Sequence, residues 1–248
     1  MTTFSALEMY GFDELKEAWN ALYAAAATRI SGAPPRLSWG RDLASSWIDP
    51  QLALGQTCGW PLVTVLAPRV QVIGTFAHSV GDPAVSAWYR SVLVAREARP
   101  LSAFAAARAA VNGFDSLSGW ISLRVATQFA GATIVTGTHR ASIEAVAAGH
   151  ADIASIDAVT WSYAQTLWPD ETRSLVAVGY GPKVPCLPLI TSITASTEQI
   201  SMWRAALTAA VANQPEACRA LGIAAFVALD LTDYQRALAA YRDVAVRR

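Results

Sequence analysis

The chain is short of the residues that build metal centres, disulfide frameworks and charged patches. Its 248 residues include three cysteines, three histidines and three methionines, and only Lys16 and Lys183 are lysines. Cys58, Cys186 and Cys218 are far apart and odd in number, with no CxxC or Cys/His spacing. That argues against a disulfide framework and against structural zinc, and leaves small apolar packing as their reading. Charged residues make up 15% of the chain, 19 basic against 19 acidic, for a formal net charge of zero. Such a chain has no long-range field to draw in a polyanion. Its basic residues are scattered singly apart from Arg247-Arg248, which argues against nucleic acid as a partner.

Long apolar runs are also missing. The longest stretches, Ala105–Val111 and Leu221–Leu231, are broken by Arg108, Gly222 and Asp230. Neither approaches the roughly 18–20 residues of a membrane span, so no direct membrane insertion is expected. The segment from Met1 to Tyr10 has no basic n-region and no apolar h-region, so no signal peptide is visible. The expected location is periplasmic if a leader was removed and cytoplasmic otherwise. What is abundant is hydrophobic residues, 53% of the chain. That is enough for a large core in one domain or in two lobes of roughly 100–150 residues each.

Short β-rich runs alternate with amphipathic ones. Strands are expected at Phe4–Met9, Arg36–Trp39, Leu52–Gln56, Val70–Ala77, Ser91–Ala95, Arg108–Asn112, Ile134–Thr138, Ile153–Ile156 and Leu175–Gly179. Helices are expected at Phe12–Ala27, Arg41–Trp47, Pro61–Leu66, Leu117–Phe129, Ala141–Ala148 and Ala158–Leu167. From Gln199 the chain turns helical, with Phe226–Leu229 ambiguous. This alternation predicts an α/β fold with mostly parallel strands. Two proline clusters, at Arg99-Pro100 and Pro182–Pro188, bracket the middle block. The pattern suggests a discontinuous first lobe, 1–90 plus 191–248, and a second lobe, 91–190, with Tyr89 and Ser91 where the chain crosses between them.

Two small hydroxyl-rich turns stand out. Asp115-Ser116-Leu117-Ser118-Gly119-Trp120 and Thr136-Gly137-Thr138-His139 each precede a helical run. A helix start carries unpaired backbone N–H groups and a partial positive charge, and hydroxyls there add donors. Either turn alone reads as an N-cap. Together they suggest a site for a small anion, with His139 as a further donor.

These residues, with Leu54–Leu62, Tyr89-Arg90-Ser91, Ala110-Val111-Asn112 and Ala151–Asp157, occur in an order that resembles the phosphate/phosphonate-type substrate-binding proteins of ABC importers, from about Met9 to Leu189. The resemblance implies a two-lobed type II periplasmic-binding-protein fold, each lobe a mostly parallel sheet flanked by helices, with the ligand in a cleft between them. It implies that Ser116, Leu117 and Ser118 hold a tetrahedral oxyanion through hydroxyls and backbone amides. It places His139 at the next helix start, Asp157 after the following strand and the aromatic rings of Tyr10 and Trp60 on the first lobe.

The implied function is non-catalytic binding of a small anionic or zwitterionic ligand, with an ABC permease or a sensor protein as the partner and with no cofactor, metal or catalytic residue. Two alternatives stand beside it. An enzyme related to thiamine-pyrimidine synthesis would need a site lysine, and neither Lys16 nor Lys183 lies in a site-like motif. A stand-alone effector domain would act by partner-mediated sensing, with direct DNA binding not expected because no helix-turn-helix precedes the α/β part.

Overall fold

The computed structural model describes residues 3–79 and 86–246, so the Arg247-Arg248 pair lies outside the described residues. Ten strands run in chain order as β1 (Phe4–Ala6), β2 (Leu52–Gln56), β3 (Val70–His78), β4 (Trp88–Ala95), β5 (Ala109–Val111), β6 (Thr133–Val135), β7 (Ile153–Ile156), β8 (Val176–Pro185), β9 (Pro188–Ser192) and β10 (Ile223–Val227). They form two five-stranded sheets, ordered β1-β2-β9-β3-β10 and β6-β5-β7-β4-β8. The chain divides into two compact units, Met1–Ala87 with Pro185–Ala237, and Trp88–Val184 with Leu238–Arg248.

In the first unit the helix Lys16–Ala27 carries its apolar stripe at Trp19, Leu22, Tyr23 and Ala26, the three-and-four spacing of a helix face. Trp19 packs on Phe76 of β3 with ring centroids 5.9 Å apart, and Tyr23 meets Trp203 of the helix Thr197–Asn213 at 6.2 Å. Burying each such ring contributes about 1.5–3 kcal/mol. The polar end of Tyr23 is satisfied too, since its hydroxyl donates to the carbonyl of Pro34 at 2.7 Å. The helix Thr197–Asn213 begins with a reciprocal cap, Ser196 accepting from the Gln199 amide and the Gln199 side chain accepting from the Ser196 N–H.

In the second unit β5 and β7 form the middle of the sheet. Ala109, Ala110, Val111, Ile153, Ala154 and Ile156 have no accessible surface, as expected of strands covered on both faces. The helices His139–Ala147 and Ala158–Leu167 follow β6 and β7 directly.

The fold class is that expected, α/β and two-lobed, but the sheets are mixed rather than mostly parallel. In the first, β1 pairs with β2 in parallel, whereas β2–β9, β3–β9 and β3–β10 are antiparallel. In the second, β5 is parallel to both β6 and β7, and β4 runs antiparallel to β7. Alternation along the chain counts crossover helices between successive strands. It cannot reveal that β9, contributed from far along the sequence, is inserted between β2 and β3.

Some local boundaries differ from expectation as well. Arg36–Trp39 forms no strand: it follows Pro34-Pro35 and makes one sheet-like bond, the Ser38 N–H to the Ser5 carbonyl. The strand expected at Leu175–Gly179 extends to Pro185, and of the ambiguous Phe226–Leu229 region Phe226 and Val227 fall within β10 and the rest outside it. The segment expected to extend through Thr138 leaves the sheet after Val135, because Gly137 turns the backbone to φ +87° and Thr138 caps the next helix.

Candidate ligand-binding site

In the second unit β5 ends at Val111 and the chain turns through Asn112–Asp115 to Ser116. Ser116 has extended dihedrals and acts as an N-cap, its Oγ accepting from the Gly119 N–H at 3.0 Å. The first turn, Leu117–Ile121, is π-helical, and regular α-helix resumes at Ser122–Thr127. The Ser116 carbonyl accepts from both Trp120 and Ile121 at 3.1 Å, which widens the turn. The N–H groups of Leu117 and Ser118 precede any intrahelical acceptor. The Leu117 side chain is buried, so Leu117 can offer a ligand its backbone alone. π-turns of this kind recur at functional sites.

The second turn is lashed to the same strand. Thr136 Oγ1 donates to the Val111 carbonyl at 3.0 Å and lies 2.6 Å from Ser142 Oγ. Thr138 caps the helix His139–Ala147, accepting from Ala141 N–H at 3.1 Å. This places His139 Nε2 2.8 Å from Ser118 Oγ, and Ser118 Oγ 3.4 Å from Ser116 Oγ. Ser155 of β7 completes the anchoring by donating to the Ser118 carbonyl at 2.6 Å.

Burial lowers the pKa of His139 to about 4, although part of the residue keeps some accessible surface. Its ring environment, rather than the residue's total surface, sets the desolvation, so the ring is neutral at ordinary pH. Its Nδ1 is buried with no hydrogen-bond partner. If Nδ1 carried the hydrogen, a donor would be stranded. With the hydrogen on Nε2, the ring donates to Ser118 Oγ and leaves only an acceptor unmet, which is the cheaper arrangement. The Ser118 hydroxyl hydrogen is then available to another acceptor.

Asp157 follows β7 and is 2% exposed; its Oδ1 accepts from the N–H groups of Val159 and Thr160 at 2.8 and 3.0 Å. Because β5, β6 and β7 are parallel neighbours, the Ser116 turn, the His139 turn and Asp157 share one edge of the sheet, at the strands' carboxyl ends. That is where open α/β sheets bind ligands. Strand β4 runs antiparallel to β7 with Val92 opposite Ile156, which brings Ser91 to the same edge as Asp157. Ser91 is 1% exposed with its Oγ unpartnered, and Tyr89 is buried nearby on β4. Arg140, next to His139, is held by Glu171 at 2.6 Å and Glu144 at 3.4 Å, and its guanidinium stacks over Trp168.

The first unit has its own polar edge. Tyr10 follows β1 and is buried, with its carbonyl accepting from Trp19 Nε1 at 3.1 Å. Its ring meets that of His78, the last residue of β3, edge to face at 5.9 Å. Trp60 follows β2 in the buried turn Gly59–Pro61, which leads into a second π-helical segment, Leu62–Leu66. Strands β1, β2 and β3 all run the same way, so these residues also gather at carboxyl ends.

Sequence reasoning missed several polar groups. Gln56 Oε1, Thr57 Oγ1 and His78 Nδ1 in the first unit, and Asn112 Oδ1 and Ser122 Oγ in the second, are buried without hydrogen-bond partners. Most buried polar atoms are paired, so each such atom calls for an explanation. Gln56-Thr57 could have been singled out, since it is a polar pair at a strand end ahead of the Cys58-Gly59-Trp60 turn. Asn112 and Ser122 could not, because their missing partners are visible only in three dimensions. A cavity of about 230 Å³ in the first unit, lined by residues including Ser31, Gln51, Thr194 and Trp203, lies at the opposite, amino end of β2 and holds none of these atoms.

Solved structures with this architecture include proteins holding small acids. PhnD1 from Prochlorococcus marinus, solved in complex with methylphosphonate, matches with a TM-score of 0.75 at 13% identity, over 98% of each chain. A binding-protein component of an ABC phosphonate transporter from Pseudomonas aeruginosa matches with a TM-score of 0.69 at 16% identity, over 97% of this chain and 89% of its own. MatC from Rhodopseudomonas palustris, with bound malate, matches with a TM-score of 0.65 at 14% identity, over 99% of each chain. No curated protein sequence matches this one. At these identities the structures establish the fold, and the family comes from sequence. The family model described as ABC transporter, phosphonate, periplasmic substrate-binding protein matches residues 51–234. The chain therefore belongs to the periplasmic substrate-binding protein family of phosphonate ABC transporters.

Proposed function

We propose that the chain binds a small acid for ABC-type uptake or sensing. Its anionic group is gripped by Ser116, Ser118, His139 and the Leu117 and Ser118 N–H groups. Tyr89, Ser91 and Asp157 surround that group, while Tyr10 and Trp60 of the other lobe close on the ligand's far end in an interlobe cleft. The observation that carries this reading is the Ser118–His139 bond of 2.8 Å, which joins two helix starts at one sheet edge. Affinity for both lobes together would favour a closed form, and an ABC permease or a sensor would read that form.

The same pair argues against catalysis. A serine nucleophile needs a histidine that accepts its proton and a third group that orients the ring. Here Nδ1 has no partner and burial lowers the ring's pKa to about 4, which makes it a weak base at neutral pH. The lysine-dependent alternative gains no support, because Lys16 lies at the surface paired with Asp13 at 2.6 Å.

Thermal-shift measurements with phosphate, methylphosphonate, aminoalkylphosphonates, methanesulfonate, malate and adipate test this reading. A ligand that binds only the native state raises Tm by mass action. At least one of these acids is expected to do so in a concentration-dependent way. No shift with any of them would contradict solute binding of this class.

A further inference from the structure

The binding edge of the second unit is built from uncharged donors. Ser116, Ser118 and the N–H groups of Leu117 and Ser118 are neutral, and His139 is bonded to Ser118 rather than to an acid. The arginines on neighbouring elements are engaged elsewhere: Arg90, next to Ser91 on β4, donates to the Gly181 carbonyl at 3.1 Å, and Arg124 stacks over the Trp120 ring at 5.2 Å. Arg140 is committed to Glu144 and Glu171 and stacked on Trp168. Asp115 lies exposed in the preceding loop, and Asp157 brings a carboxyl group to the same edge. The cost of removing an ion from water rises with the square of its charge, and dipoles alone offset one charge far more readily than two.

Asn112 points to the same conclusion independently. Its Oδ1 is buried without a partner and packs over Gly119, beside Ser116 Oγ, where any added side chain at 119 would collide with it. One turn further on, Ser122 is 2% exposed with its hydroxyl unpartnered. A serine at that helical position commonly bonds the carbonyl four residues back, but the Ser118 carbonyl already accepts from Ser155. Beside the donors of the Ser116 turn there is thus an acceptor with nothing to accept. A fully ionised tetrahedral oxyanion has no hydrogen to give it. A monoprotonated one has a single O–H.

We propose that this edge selects a singly charged, monoprotonated tetrahedral oxyanion over the dianion, with Asn112 Oδ1 accepting the ligand's O–H and the Ser116 turn donating to its other oxygens. The proposal rests on the solute-binding reading above and adds the protonation state of the ligand and the residue that reads it.

The test is calorimetric titration of the wild-type chain with methylphosphonate and with methanesulfonate from about pH 6 to about pH 9. Methylphosphonate loses its second proton within that range, whereas methanesulfonate stays a monoanion without an O–H and reports any titration of the protein itself. Relative to the sulfonate, methylphosphonate affinity should fall about tenfold per pH unit once its second ionisation is passed. Asn112→Leu should weaken methylphosphonate at least about tenfold more than it weakens methanesulfonate at the lower pH. Constant or rising relative affinity with pH would overturn the proposal, as would a ligand from the wider set that binds only as a dianion. In either case solute binding itself would stand. If the wild-type chain binds none of the acids, the solute-binding reading fails and the inference falls with it.

Discussion

Ser118 Oγ and His139 Nε2 lie 2.8 Å apart, although each belongs to a different helix start and a different strand end. Neither residue is distinctive alone, since Ser118 sits in a capped turn and His139 is the first residue of a surface helix. Their contact converts two caps into a single array of donors, and the bond from Ser155 to the Ser118 carbonyl fixes that array to β7.

The histidines should make the unliganded protein acid-sensitive. His78 and His139 are both depressed by burial to about 4 from an ordinary 6.5. The unfolded chain therefore binds more protons than the native one between these values. Stability is full above about pH 6.5 and is lost as pH falls toward about 4. At about 1.4 kcal/mol per pKa unit, each contributes on the order of 3 kcal/mol across that window. Urea denaturation at a series of pH values should show the decline, and a His139→Gln variant should lose roughly half of it. A flat profile would mean that the rings titrate normally.

Asp157 has a structural role that can be separated from any contact with ligand. Asp157→Ala removes the acceptor for two helix-start N–H groups and should cost about 1–2 kcal/mol. Asparagine caps a helix about as well, so Asp157→Asn should hold stability within about 0.5 kcal/mol. Denaturant midpoints of the three proteins check this ranking.

Gly119 is required by its neighbour. An alanine there would drive its methyl into Asn112 Oδ1, and overpacking of this kind costs about 1–3 kcal/mol. Asn112→Ala in the same chain should recover most of that loss, a coupling visible in a double-mutant cycle. If the two changes add independently, the contact is not what constrains the glycine.

Ser196 supplies a control away from the site. Ser196→Ala breaks the reciprocal cap with Gln199 and should cost about 1 kcal/mol while leaving ligand affinity unchanged. A variant that loses stability but keeps affinity shows that affinity changes elsewhere are not a by-product of weakened folding.

Much of the fold and part of the site are legible in the sequence, for reasons that differ by element. The helix Ala158–Leu167 has the ends its sequence predicts, because Asp157 announces its start and the apolar spacing carries through to Leu167. The Ser116 and Thr138 caps are legible for the same reason, since a cap is a local event governed by residues within one turn. The antiparallel insertion of β9 is not, because strand partners are chosen by contacts far apart in sequence. The π-turn at Leu117–Ile121 is also invisible, because the Ser116 carbonyl taking both the Trp120 and the Ile121 N–H is not a matter of helix propensity. Asn112 and Ser122 escape a sequence reading because an unsatisfied atom is defined by what surrounds it.

The most direct measurement is an equilibrium titration of wild type, Ser118→Ala and His139→Ala with whichever acid stabilises the wild-type protein most. Each variant should bind at least about tenfold more weakly, with Tm in the absence of ligand close to the wild-type value, if the Ser118–His139 pair forms the site. Wild-type affinity in both variants would contradict this and move the site away from the contact between Ser118 and His139.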